Sequence, residues 1–336
     1  MILGEIDNAN VGSTKVDEIR LGSKLVFPRR SVSGLAPNAS MWGVRDLTGG
    51  TNPLAMRVQR SINGPGTEVR DFYANEIEDG TLLSWVTEGG ATADGTVIRL
   101  YDQNASRGFT YWKDEDFNAP KIVVNGVLSR DSEGKVAING NSAKLRMGPD
   151  NSHSNTNFFS SDGTWSLFLV TDFPNYSGAT NTNVQIVNFE TATTSSSSSK
   201  RKPAIACNKN FNQLAVSTPT QTVGSNTEGN IFLPTYPGEQ LFSNFGNPAS
   251  ATGNNQGFLD GVSNVGDAGS ASTNAATGIN TNTTAPGPSN VLFQPTESGV
   301  TTFLSALVYS PSNLGDSRTD VENELIRVFN IDFVNE

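Results

Sequence analysis

The segment LAMRVQRS (54–61) sets Leu54, Met56 and Val58 against Ala55, Arg57 and Gln59, the period-two pattern of a strand with one buried face. TVIRLYDQ (96–103) alternates less cleanly through Val97, Ile98, Leu100 and Tyr101. KIVVNGVL (121–128), VQIVNF (184–189), KPAIACN (202–208) and TTFLSALVYS (301–310) add strands over the whole length. In TWSLFLVTDF (164–173) the run from Trp165 to Val170 is almost continuously apolar, as expected of a central strand buried on both faces. One segment carries the helical period instead. In SRTDVENELIRVFNI (317–331), Val321, Leu325, Val328 and Phe329 fall on one face, and Thr319 and Glu322 have the spacing of a capping box. These elements predict an all-β chain closed by one C-terminal helix.

The first thirty residues follow another rule. VGSTKV (11–16) returns as LGSKLV (21–26), and ILGEI (2–6) is a degenerate third copy. Val11, Val16, Ile19, Leu21, Val26 and Phe27 are β-prone, and Gly12-Ser13 and Gly22-Ser23 suit tight turns. Hairpins this small are not stable alone in water, so the repeat is expected to attach to a partner surface. PRRSVSGLAPNAS (28–40) reads as a linker and places a domain boundary near residue 32. Two stretches are low in complexity: TATTSSSSS (191–199), a loop tip, and 243–290, with two charges in 48 positions. The second is expected to be a long, polar, partly ordered insertion, since Phe258, Leu259, Val262, Val265 and Ile279 recur in it.

Composition narrows the function classes. The net charge is −10, and no basic stripe offers a nucleic-acid surface. Cys207 is the only cysteine, which excludes an intrachain disulfide. No apolar run is long enough to span a membrane, and the first residues lack the features of a signal peptide. The expected location is a particle assembled in a cytoplasm.

Two resemblances follow from these residues. The tandem units VGSTKV-DEI-RLGSKLVFP resemble the N-terminal segments of tailed-bacteriophage virion proteins such as fibre, neck and tail-tip components. Arg20 stands where an aromatic is usual there, and Phe27-Pro28 where Trp-Pro often stands. The stretch from Met41 resembles the concanavalin A-like jelly roll of fungal type-B α-L-arabinofuranosidases. Val44-Arg45-Asp46-Leu47, Met56 to Ser61 and Leu100-Tyr101-Asp102-Gln103-Asn104 hold the corresponding positions. The end, a strand followed by a helix, is similar as well. The resemblance implies a jelly-roll sandwich over 32–336, preceded by a β-repeat arm at 1–31.

The resembling glycosidases use two carboxylates, about 5 Å apart when the mechanism is retaining. A loose alignment puts Glu190 and Glu297 near those positions, without the family's surrounding motifs. Arg57, Arg60 and Asp102 are explained without function by buried Arg–Asp pairing. One histidine, His153, and one cysteine make no zinc site, and no phosphate-binding loop is present; no metal or cofactor is expected. The leading expectation is a non-enzymatic structural protein of a phage virion. Its arm docks to other virion proteins, its copies form a homotrimer, and its jelly roll contacts host-surface glycans. The alternatives are a lectin-like module that stacks sugars on Trp42, Trp85, Tyr111 and Trp112, and, third, a glycosidase.

Overall fold

The computed structural model describes residues 31–61, 66–104, 108–113, 118–140, 143–147, 164–172, 239–247, 302–315 and 317–331, and the strands at 10–11, 14–15, 19–21, 24–27, 183–188, 204–208, 213–219, 228–234, 254–259, 262–263 and 291–294. Each copy of the opening repeat contributes a hairpin. Strand β1 (Asn10–Val11) pairs with β2 (Thr14–Lys15), and β3 (Ile19–Leu21) with β4 (Lys24–Phe27). The closing pairs Val11↔Thr14 and Leu21↔Lys24 leave only Gly12-Ser13 and Gly22-Ser23 between the strands, as the glycines predict. The two hairpins are separate two-stranded sheets that share no ladder with the main sheet.

The main sheet begins after a one-turn helix, α1 (Val32–Leu35). Strands β5 (Ser40–Gly43), β6 (Leu54–Ser61) and β7 (Thr67–Tyr73) lead into short helices α2 (Ala74–Glu78) and α3 (Thr81–Glu88). Next come β8 (Gly95–Leu100), β9 (Tyr111–Lys113), β10 (Lys121–Val124), β11 (Val127–Leu128), β12 (Ile138–Asn139) and β13 (Leu145–Met147). Strand β14 (Trp165–Asp172) is followed by β15 (Asn183–Asn188), β16 (Ala204–Asn208), β17 (Gln213–Pro219) and β18 (Glu228–Pro234). The chain ends with β19 (Gln240–Asn247), β20 (Asn254–Leu259), β21 (Val262–Ser263), β22 (Val291–Gln294), β23 (Phe303–Ser310) and helix α4 (Ser317–Phe329).

All ladders between these strands are antiparallel, and the sheet branches at two of them. Strand β14 lies between β19 and β23. The far edge of β23 is divided: Phe303 and Leu304 pair with β12, and Ala306 to Tyr309 pair with β5. Strand β8 is divided in the same way, Gly95 and Thr96 pairing with β10 and Arg99 and Leu100 with β9. One arm therefore runs β20-β19-β14-β23-β12-β10-β8-β6-β7, and the other runs β9-β13-β22-β15-β16-β17-β18. The curled sheet is an all-β jelly-roll sandwich.

Every residue of β14 is buried, as its unbroken apolar run requires. Helix α4 lays Val321, Leu325, Ile326 and Phe329 on β14 and β19. Its expected capping box does not form. The helix already includes Ser317, so Thr319 lies inside it, and the buried Glu322 turns to the Ser243 hydroxyl. Two further features refine the sequence reading. KIVVNGVL is a hairpin, because Asn125 and Gly126 both take positive φ, 51° and 76°, the backbone of a two-residue hairpin turn. A Cβ on Gly126 would also collide with the Ala91 carbonyl. Residues 243–247 belong to β19 beside the central strand, and 254–263 carry β20 and β21. The expected insertion therefore contains sheet at its start, and 264–290 lies outside the described residues.

Candidate functional site

Directly opposed residues of antiparallel strands share a face. Across β7, β6, β8, β9 and β13 the register sets Phe72, Met56, Leu100, Tyr111 and Met147 in one row. All five are buried. The neighbouring register line faces the other way and reads Asp71, Arg57, Arg99, Trp112 and Arg146. A second line on that polar face runs Val69, Gln59, Thr96, Lys121 and Asn139, over β7, β6, β8, β10 and β12. The two lines stand two residues apart on β6 and β7, about 7 Å at ordinary strand rise. On β8 they are three apart, and the register shift between Arg57↔Arg99 and Val58↔Val97 accommodates Ile98 as a bulge, which restores the face. That bulge is the physical reason TVIRLYDQ alternates imperfectly.

A groove of about 480 Å³ opens over the second line, walled by Arg60, Ser61, Asp94, Lys113 and Asn118. Its polar groups are side-chain amides, hydroxyls, ammonium groups and one carboxylate. Lys121 Nζ donates to Asp94 at 2.5 Å, and the Asn125 amide donates at 2.9 Å. Burial opposes ionisation of Asp94, but these two donors outweigh it and hold the carboxyl below its ordinary range. Asp94 is therefore an anion near neutrality and no proton donor. It is the groove's only carboxylate among the described residues, so a pair of carboxylates for sugar cleavage is not assembled there.

The arginines of the first line are held differently from one another. Arg57 grips Asp71 through two bonds of 2.7 Å, and Tyr101 donates to the same carboxylate at 2.7 Å. The Arg57 guanidinium, foremost, keeps Asp71 below the usual carboxylate range. Arg99 lies over the Trp112 ring, and Arg99 Nε and Trp112 Nε1 have no acceptor among the described residues. Arg60, at the groove wall, is neutralised by Glu68 at 2.6 Å and Glu88 at 3.4 Å, with its guanidinium 4.3 Å from the Trp85 ring centroid.

The four aromatics expected to stack sugars are thereby separated. Trp42 and Tyr111 are core residues with no exposed surface, 5.0 Å apart edge to face, and Trp42 donates to the Phe109 carbonyl at 3.0 Å. They offer no face to a ligand, because each points to the inner side of its strand. Trp85 is half-buried between Phe72 and Arg60. Trp112 alone lies in the polar register lines. Glu190, Glu297 and Val16 fall outside the described residues, as do the side chains of Val11, Ile19, Leu21, Val26 and Phe27.

The expected Arg pairing of Asp102 is also corrected. Arg57 and Arg60 find other acids, and Asp102 binds the backbone amides of Met41 at 2.8 Å, Asn104 at 3.0 Å and Phe109 at 3.3 Å. Burial pushes its pKa up to about 7 against those amides and the Ser40 hydroxyl. Its neighbours complete a clasp on the 37–47 segment. Gln103 accepts from the Leu47 amide and donates to the Gly43 and Arg45 carbonyls, while Asn104 donates to those of Pro37 and Ala39. The YDQN stretch therefore supports the fold.

The line Gln59, Thr96, Lys121 and Asn139 was not singled out by sequence reading. Its members come from four strands, and only the register brings them together.

No family model matches the chain, and no curated protein matches its sequence. Among solved structures it is similar to a GH54 α-L-arabinofuranosidase at 11% identity and a TM-score of 0.47, covering 86% of this chain and 62% of that one. The chain thus spans about three-fifths of that enzyme. It is also similar to a Trypanosoma rangeli sialidase (10%, TM-score 0.38, covering 68% and 31%) and to an alginate lyase of polysaccharide lyase family 7 (10%, TM-score 0.32, covering 77% and 95%). These agree with the jelly-roll resemblance. They are all glycoside hydrolases or polysaccharide lyases, and on that finding the expectation that the chain is not an enzyme is withdrawn. Likeness at this level assigns no reaction, substrate or catalytic residue. No comparison points to a phage origin.

Proposed function

We propose that the chain is a displayed jelly roll that holds a saccharide on its polar sheet face, carried by an N-terminal attachment arm of the kind found in tailed-phage virions. The observation that supports the saccharide reading is the line Gln59, Thr96, Lys121 and Asn139 along a groove of about 480 Å³. Amides, a hydroxyl and an ammonium offer both donors and acceptors to sugar hydroxyls, and they stand on strands rather than loops, which fixes their spacing. The attachment reading draws on the tandem hairpins, each a sheet of its own. Several copies, a homotrimer first, would sit at a symmetric virion site, with other virion proteins as partners and host-surface glycans as ligand.

The experiment is a glycan array probed with the full chain and with Gln59→Ala and Thr96→Val. Binding that weakens about tenfold in each variant, roughly 1.4 kcal/mol, at unchanged melting temperature supports the groove. Binding indifferent to both variants, or no binding, refutes it. Release of new reducing ends from a bound glycan in the same wells would make the groove an active site.

A further inference from the structure

We infer that the saccharide taken by this face is anionic, bearing carboxylate or sulfate groups; the inference rests on the saccharide reading above. Three cations of the face are already matched. Arg57 is held by Asp71, Arg60 by Glu68 and Glu88, and Lys121 by Asp94. Arg99, in the first line, and Lys113, at the groove wall, have no ion pair among the described residues. Both belong to the same strand pair: Arg99 stands opposite Trp112, the residue before Lys113. An acidic chain of net charge −10 thus carries two uncompensated cations side by side.

The rest of the molecule does not cancel them. Exposed charges more than about 8 Å away are largely screened at physiological salt, whereas a bound anion would meet Arg99 and Lys113 directly. The guanidinium of Arg99 is a planar fork suited to carboxylate or sulfate, and the Trp112 ring fixes its plane. Arg99 Nε and Trp112 Nε1 both lack an acceptor, so two neighbouring donors remain for oxygen atoms. Turning Arg99 out of its stack brings its Nε to an incoming anion and changes the environment of the indole. The amide and hydroxyl line beside it then holds the neutral hydroxyls of the same saccharide.

The test measures binding of the full chain to matched polymers: polygalacturonate against its methyl ester, dextran sulfate against dextran, and single-stranded DNA as an anion without the saccharide hydroxyl pattern. The expected result is binding to one anionic member at least tenfold tighter than to its neutral partner. Arg99→Gln and Lys113→Gln should each lose most of that preference, with melting temperature unchanged, and tryptophan emission should shift on binding in the wild type but not in Arg99→Gln. The pair that shows the preference identifies carboxylate or sulfate. Equal binding of charged and neutral partners overturns the inference while leaving the saccharide reading intact. Binding of none of the polysaccharides overturns both. DNA binding as tight as the best polysaccharide overturns both as well, and marks the face as a general polyanion surface.

Discussion

Asp102 illustrates how much one side chain can organise. Its carboxyl serves three backbone amides in a place closed to water. Replacing it with Ala leaves buried donors without partners, at about 1–3 kcal/mol for each. Asp102→Ala should therefore destabilise the domain by about 3 kcal/mol or more in urea unfolding, and a change below about 1 kcal/mol would show that water replaces the carboxylate. The Arg57–Asp71 pair is a contrast. Both side chains are about a third exposed, and such a pair contributes about 1 kcal/mol or less, so it orders the polar face more than it stabilises it. That these residues carry structural roles was legible in the sequence; the partner of Asp102 was not. The partners are main-chain groups from 41 to 109, which carry no residue-type signal and meet only once the segment before β6 folds across.

At the scale of elements, periodicity located the strands well wherever one face is buried and the other wet. Strand β6 matches LAMRVQRS end to end, and β14 matches the unbroken apolar run. Helices α2 and α3 were missed because they are five and eight residues long, too short for a helical period to stand out from a strand run. The candidate groove stayed illegible for a related reason: alternation tells which residues share a face of one strand, but not which strand lies beside it. The N-terminal hairpins allow a direct check. A chain beginning at Ser33 should remain folded, with a cooperative melt, and sediment as a monomer by light scattering, while the full chain self-associates. Loss of the cooperative melt on truncation would mean that β1 to β4 complete the core and are no separate attachment module.

Over the whole molecule, buried acids set the response to pH. Burial raises Asp102 to about 7 and Glu239 to about 7. Neither oxygen of Glu239 makes a hydrogen bond of good geometry, the Ser305 hydroxyl lies alongside, and Lys135 approaches at 3.5 Å. In both groups the folded state binds the proton more tightly than the unfolded chain does. Their contribution is fully present below the ordinary carboxylate range and is lost as pH rises through about 7. Asp71, Asp94 and Asp46 are shifted the other way, so their contribution is lost as pH falls below that range. The melting temperature should peak between about pH 4 and 6 and fall toward pH 8. Glu239→Gln should raise it at pH 8 and leave it nearly unchanged at pH 5. A flat profile, or a maximum near pH 8, would contradict the assignment of buried protons.

The clasp on the 37–47 segment also has a mechanical consequence. Any tension applied at the start of the chain reaches the sandwich through α1 and then β5, a four-residue strand with few ladder bonds of its own. Gln103 and Asn104 grip four carbonyls along that segment, those of Pro37, Ala39, Gly43 and Arg45. A pull is thereby spread from one short edge onto the strand end at β8, where both arms of the sheet meet. The domain can bear load at its tether without a long first strand.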